Sequence, residues 1–216
     1  MIKKIIITGA TGYIGSNLVR RLVKEEYKVF LIVRENSDLS IIDDILDEVN
    51  ILRYNGKMKE LISLFKEIEQ IDLVIHLASL FIVQHNQEQI DELIDSNIKF
   101  GTQILEAMVH SKCSRIINTG SYWQHYNNED YNPVCLYAAT KEAFEKIIQY
   151  YYEVEKINCI TLELFDTYGE TDPRRKITSL LKECAEKNIH LDMSPGEQVI
   201  NLVYIDDVVE AYLKAI

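Results

Sequence analysis

The chain begins with an apolar run, Lys3-Lys4-Ile5-Ile6-Ile7-Thr8, that ends in Gly9-Ala10-Thr11-Gly12-Tyr13-Ile14-Gly15, with its glycines spaced three apart. An amphipathic stretch over residues 16–26 follows directly. This order reads as strand, tight turn and helix. Such a turn lets the backbone approach a pyrophosphate, which then rests on the free N–H groups of the helix N-terminus. Gly9 permits the turn, Gly12 the close approach and Gly15 the packing of helix on strand. A glycine triplet alone also occurs in other α/β turns. The strand before it and the helix after it give it weight here.

The rest of the chain repeats the alternation. Apolar runs predict strands over residues 3–8, 28–33, 49–53, 73–78, 115–119 and 159–164. Amphipathic patterns predict helices over 15–25, 58–70, 87–111, 134–156, 177–187 and 206–215. The strands are continuously apolar, as in a parallel sheet covered on both faces. Strands alternating with helices make an α/β fold with a doubly wound parallel sheet, of Rossmann type. Residues 1–165 are expected to form the dinucleotide-binding domain. Residues 166–216 are expected to begin a small, incomplete C-terminal substrate region.

Composition narrows the function. Lys and Arg number 23 against 34 acidic residues, a net charge of −11. A nucleic-acid or acidic-membrane partner needs a basic face, so neither is expected. An anionic small ligand is still allowed, because local groups override net charge. Cys113, Cys135, Cys159 and Cys184 form no CxxC or Cys/His cluster, so no metal site and no disulfide framework are expected. Reduced thiols suit the cytoplasm. The first strand starts at residue 2 or 3, leaving no room for a signal peptide. No apolar stretch is long enough to span a bilayer.

Tyr137 and Lys141 stand i and i+4 on the helix expected over 134–156, so they share a face. A phenol has a pKa of ~10. A neighbouring ammonium favours the phenolate and is expected to lower that value, which suits acid–base exchange with a hydroxyl or carbonyl. A surface Tyr–Lys pair is the ordinary alternative. Ser121 ends the strand over 115–119, and ligands bind at the C-terminal ends of such strands. Its hydroxyl is placed to hydrogen-bond a reacting oxygen.

Together, Thr8-Gly-X-X-Gly-X-X-Gly15, Ser121 and Tyr137-X-X-X-Lys141 resemble the extended short-chain dehydrogenase/reductases, the NAD-dependent epimerase/dehydratase group. His76-Leu77-Ala78-Ser79, Asn97-Ile-Lys-Phe-Gly101-Thr102, Phe165-Asp-Thr-Tyr168-Gly169 and Val203-Tyr204-Ile205-Asp206-Asp207-Val208 match in the same order. The resemblance covers essentially the whole chain. It implies Tyr137 as acid–base, Lys141 as the group that tunes it and holds the ribose, and Ser121 as the group that polarises the substrate oxygen. It implies a nicotinamide cofactor, contacted at Gly9, Thr11, Gly12, Tyr13, Ile14, Gly15, Leu77, Ala78 and Ser79. A nucleotide sugar is the implied substrate, a homodimer the implied assembly, and Asn97 a support for the active-site helix.

At the end of the second strand, an arginine accommodates the 2′-phosphate of NADP and a carboxylate binds the 2′-hydroxyl of NAD. Arg34 stands there, with Ser37 able to add a hydrogen bond, so NADP(H) is favoured over NAD(H). Adjacent Glu35 keeps NAD(H) open. Exchangeable NADPH suits a net reductase. Family dehydratases carry Asp-Glu after the catalytic Ser or Thr, where this chain has Tyr122-Trp123-Gln124-His125. Residues 117–121, Leu136-Tyr137 and 162–165 are similar to CDP-3,6-dideoxyhexose synthases, which reduce a C4 keto group. An NAD-dependent 4-epimerase and a non-catalytic dinucleotide-binding remnant are the alternatives. Tyr122, Trp123, Tyr126, His125, Phe81 and His85 either border a sugar pocket or pack as ordinary loop. Phe144, Ile147, Ile148, Tyr151 and Tyr152 suit either a dimer contact or the sheet.

Three departures from the family pattern stand out. Tyr54-Asn55-Gly56-Lys57 lacks the acid usual near the adenine. Ile200-Asn201-Leu202 replaces the usual Arg-Asp-Phe, whose arginine meets phosphates; Arg174, Arg175 and Lys176 are candidate substitutes. The sequence stops at Ile216, earlier than is usual for the family, as a fragment or a short form would.

Overall fold

The structure, a computed structural model, describes residues 3–174, 176–193, 195–197 and 199–216. Arg175 lies outside the described residues. The chain runs β1 (Lys4–Thr8), α1 (Tyr13–Lys24), β2 (Lys28–Arg34), 3-10 turns over Ser40–Glu48, β3 (Asn50–Tyr54), α2 (Met58–Glu67) and β4 (Leu73–His76). Then come α3 (Ile90–Ile94), α4 (Phe100–Ser111), β5 (Arg115–Ser121), α5 (Leu136–Glu155) and β6 (Asn158–Leu164). The short β7 (Asp166–Tyr168), α6 (Ile177–Lys187), β8 (Leu202–Tyr204) and α7 (Ile205–Ala215) complete the order.

The six longer strands pair in parallel in the order β3-β2-β1-β4-β5-β6. The order reverses between β1 and β4, and a crevice opens at their C-terminal ends. In β1, Ile5 and Ile7 face a cluster with Leu18 and Leu22 of α1 and Tyr212 of α7. Ile6 faces the opposite cluster, with Phe65, Leu105 and Phe144. Both faces are buried, which explains the unbroken apolar runs. Helix α1 turns Leu18, Val19 and Leu22 inward and leaves Arg21 outside, paired with Glu25 and with Glu210 of α7.

The structure corrects several expected boundaries. The helix expected over 87–111 is broken into a 3-10 turn (Gln87–Gln89), α3, a π turn (Asp95–Lys99) and α4. Asn97 sits buried in the π turn, where the widened helix aims its amide at Leu80 and Thr140. The helix expected to reach residue 70 ends at Glu67. β7 and β8 pair with each other, and at three residues each they are too short to show a pattern. Helix α7 returns to the main core through Ile205, Val208, Val209 and Tyr212. Phe144, Ile148 and Tyr151 pack in the core, while Tyr152 is exposed.

His76 ends β4 inside this core. Its Nδ1 lies 2.8 Å from Thr8 Oγ1 and its ring tilts on Phe144, with centroids 5.4 Å apart. Burial, reinforced by the Lys141 cation, pushes its pKa down to about 3. An unfolded chain binds the proton near pH 6.5, so below that value the unfolded state holds more protons and folding weakens as pH falls. At pH 7 the ring is neutral in the folded state and mostly so in the unfolded one, so it contributes little. His76→Asn is therefore expected to remove roughly 3 kcal/mol of the stability lost between pH 7 and pH 4.5. Urea titrations of both proteins at the two pH values check this; equal acid losses overturn it.

Candidate active site

The glycine turn is held from below. Thr8 Oγ1 accepts a hydrogen bond from Ala78 N at 3.2 Å, tying β1 to the loop after β4. Gly9 has φ +77°, and a Cβ there would stand 2.6 Å from Ala78 N. Only glycine suits this position. A Cβ on Gly15 would fall 2.1 Å from Gly9 O, so α1 leans directly on the turn. Gly12 caps α1 with no side-chain hydrogen bond, and the first helical turn holds no acid. The free N–H groups there suit a pyrophosphate, so the residues fit a dinucleotide.

Gly9, Gly12, Tyr13, Ile14, Gly15, Leu77 and Ser79 line a crevice of about 220 Å3. Thr11 and Ala78 are half-buried beside it. Arg34 and Ser37 stand at the end of β2, exposed and half-buried respectively, joined by a Ser37 N–Arg34 O bond of 3.0 Å. Arg53 Nη1 donates to Glu35 O at 2.5 Å in the same loop. At the end of β3, Asn55 Oδ1 is taken by Lys57 N at 3.0 Å.

The opposite side of the same crevice carries Ser121, Tyr137 and Lys141. Ser121 ends β5; Tyr137 and Lys141 project from the first turns of α5. Ser79 and Ser121 are the neighbours of the Tyr137 hydroxyl that favour its ionised form. Ser121 Oγ accepts from Trp123 N at 3.3 Å, which leaves its own proton to donate. Lys141 is 3% exposed, and its Nζ donates to Thr119 O at 2.9 Å.

One electrostatic expectation is reversed. Burial raises the Tyr137 phenol to about 12, against the lowering by Ser79 and Ser121 nearby. The Lys141 nitrogen lies 5.9 Å from the centre of the tyrosine ring and is turned to Thr119 O. Burial also lowers Lys141 to about 8, opposed by Glu145. Desolvation outweighs pairing because both groups lie almost wholly inside the protein. At neutral pH the tyrosine is a phenol with a proton to give, and Lys141 is mostly charged.

The surroundings sort the undecided residues. Phe81 meets Tyr137 edge-on, centroids 4.9 Å apart, and Trp123 at 5.4 Å. Tyr122 stacks near Phe165 at 4.8 Å. Phe81, Trp123 and Phe165 line the crevice. His125 points elsewhere, its Nδ1 held by Asp130 O at 2.9 Å and its Nε2 3.4 Å from Glu163. Tyr126 and His85 are exposed. Asn97 ties the loop to the active-site helix: Oδ1 accepts Leu80 N at 2.7 Å, and Nδ2 donates to Thr140 Oγ1 at 3.0 Å.

Arg174 and Lys176 line the far wall with Asp166 and Thr167. The Arg174 guanidinium lies 4.7 Å from the Tyr13 ring centre and pairs with Asp172 at 2.6 Å. Lys176 pairs with Asp166 at 2.9 Å. Sequence reasoning passed over Thr119, which receives Lys141, and the Asp166–Thr167 wall. No local pattern marks a backbone carbonyl as a lysine partner. A second hollow of about 300 Å3, between α5 and β6, is lined by other residues. Among the described residues no cluster of three or more His, Cys, Asp or Glu could hold a metal ion, and no helix is long and apolar enough to cross a membrane.

Comparison with known proteins agrees with this architecture. The sequence model of the NAD dependent epimerase/dehydratase family matches residues 5–216. A CDP-abequose synthase of Yersinia pseudotuberculosis is 35% identical, the match covering 97% of this chain and 72% of that protein. A CDP-abequose synthase of Salmonella muenchen is 30% identical over 98% of this chain and 69% of its own length. Among solved structures, UDP-glucuronic acid 4-epimerase from Bacillus cereus in complex with NAD superposes with a TM-score of 0.84 at 23% identity, covering 98% of this chain and 73% of that one.

Proposed function

The chain belongs to the NAD dependent epimerase/dehydratase family, enzymes of the extended short-chain dehydrogenase type, and from that premise we propose that it is an NADP(H)-dependent nucleotide-sugar reductase acting on the C4 keto group of an NDP-4-keto-deoxysugar. The observation that carries this reading is that Ser121 and Tyr137 open into the same crevice as the glycine turn. The similarity to two CDP-abequose synthases supports the sugar-nucleotide class. Residues up to 165 supply the cofactor cradle and the acid–base group in this reading. Asp166, Thr167, Arg174 and Lys176 begin the substrate side.

A nicotinamide cofactor held at the glycine turn by Gly9, Gly12 and Gly15 would supply the hydride for the carbonyl carbon. Tyr137 gives its proton to the carbonyl oxygen as negative charge develops there. Ser121 donates a hydrogen bond to the same oxygen and stabilises that charge. Lys141, charged below about pH 8, steadies the phenolate left behind. The loop after Ser121 offers Tyr122-Trp123-Gln124 and no carboxylate pair, so water elimination has no acid and base there.

The direction of the reaction rests on Arg34. Titration calorimetry is expected to show NADPH binding tighter than NADH, and Arg34→Ala to weaken NADPH alone by about 10- to 100-fold, the worth of a charge-assisted bond to a phosphate. CDP- and dTDP-linked 4-ketosugars are then the first substrates to assay. Glu35, exposed beside Arg34, favours the second reading, an NAD-dependent 4-epimerase. NADH preference untouched by Arg34→Ala moves that reading to the front.

A further inference from the structure

We propose that Gln124 is the positioning residue that locks Ser121 to α5, so that the serine hydroxyl and the Tyr137 phenol keep one geometry through turnover; the proposal rests on the reductase reading. Gln124 closes the 3-10 turn after β5 (Tyr122–Gln124) and is fully buried, with 0% exposure. Its Oε1 accepts a hydrogen bond from Ser121 N at 2.8 Å. Its Nε2 donates to Glu142 Oε2 at 3.1 Å and to Glu145 Oε1 at 2.9 Å. One amide thus joins the backbone of Ser121 to the helix that presents Tyr137 and Lys141. Glu142 follows Lys141 directly, and Glu145 lies one turn further on.

The junction has no slack. A Cβ at Gly120 would lie 3.1 Å from both Gln124 Oε1 and Glu145 Oε1, so strand end, amide and helix are in contact. The chemistry also demands a neutral amide. Two carboxylates converge on Nε2, and only a group that accepts on one side and donates twice on the other satisfies Ser121 N–H and both acids. The charged groups around the site are Glu142, Glu145 and Lys146 of α5, His125 of the loop and Glu163 of β6. Lys146 pairs with Glu142 at 3.2 Å, and His125 Nε2 stands 3.8 Å from Glu142 and 3.4 Å from Glu163. Lys141 of α5 and the Cys159 thiol of β6 also feel the Glu145 charge. Burial raises the Glu145 carboxyl, and the Gln124 bond holds it down.

Two variants and two readouts test this. The readouts are hydrogen exchange of the Ser121 amide, which needs no substrate, and turnover of CDP-4-keto-3,6-dideoxyglucose with NADPH. Gln124→Ala is expected to speed Ser121 exchange at least about 10-fold and lower kcat about 100-fold, the scale for a displaced catalytic group, with NADPH affinity within about threefold. Gln124→Glu keeps the shape and adds a third carboxyl beside Glu142 and Glu145. When protonated it both accepts from Ser121 N and donates to a carboxylate; when ionised it repels both. Its kcat is expected within about fivefold of wild type at pH 6 and to fall as the new carboxyl ionises, a step absent from the wild-type profile.

Wild-type Ser121 exchange in Gln124→Ala, or a Gln124→Glu pH profile superimposable on wild type, overturns the proposal; a merely structural amide lowers Tm and moves neither. If Gln124→Ala does not fold, Gln124→Glu at pH 6 and pH 8 carries the same comparison. If wild type does not reduce the ketosugar, the reductase reading fails, and Ser121 exchange in the two variants decides the role of Gln124 alone.

Discussion

Tyr137→Phe is expected to lower kcat for ketosugar reduction about 1,000-fold while leaving NADPH affinity within about threefold of wild type. The substitution removes one oxygen, from a hydroxyl whose neighbours Ser79 and Ser121 favour its ionised form. The ring keeps its edge-on contact with Phe81 and its place in the cluster with Leu93 and Ala138. Folding is therefore little affected, and a thermal melt near that of wild type serves as the control. Ser121 and Lys141 stay in place, and in the proposed reaction their stabilisation of transition-state charge sets the residual rate. The effect on kcat reports the lost proton donor. Stopped-flow reduction with saturating NADPH checks it. Retention of activity within tenfold means that some other group in the crevice gives the proton.

Gly15→Ala is expected to destabilise the fold by about 3 kcal/mol and to weaken cofactor binding at least 100-fold. The added methyl would stand 2.1 Å from Gly9 O, 2.8 Å from Gly9 C and 2.9 Å from Ala10 Cα. All three are backbone atoms, so no side chain can swing aside. Either α1 withdraws from the turn or the turn moves off its seat on Ala78. Both displace the N–H groups that would face the phosphates of a bound dinucleotide. Gly12→Ala is the matched control. Its methyl would lie 3.3 Å from Gly9 O, a milder contact that costs at most about 1 kcal/mol. Its cost falls on the approach of the ligand. Denaturant titration and calorimetry on both variants separate the two effects. Equal stability of Gly15→Ala and wild type removes the packing argument.

The cofactor turn was legible because everything that shapes it lies within a few residues. An apolar run, three glycines and an amphipathic stretch are local facts, and the geometry they dictate is local too. Tyr137 and Lys141 were legible as a pair for the same reason, since the helical period alone puts i and i+4 on one face. The break at Asn97 was not, because its cause is a set of hydrogen bonds to Leu80 and Thr140, distant in the chain. Gln124 has one local signal, the Ser-X-X-Gln spacing of a capping box with Ser121, and none for its bonds to α5. Its bonds to Glu142 and Glu145 exist only once β5 and α5 come together around it.

By itself, then, the sequence determined the strand–turn–helix units, the parallel sheet they build and the shared helix face of Tyr137 and Lys141, because backbone sterics and side-chain period act over short stretches. Only the tertiary structure decided where those groups stand electrostatically. Lys141 sits on Thr119 O, and Thr119 in turn shares a 2.6 Å hydrogen bond with Tyr212 of α7. The phenol of Tyr137 is raised where the lysine alone suggested lowering. Desolvation is a sum over everything that packs around a group, and that sum exists only once distant segments have closed over it.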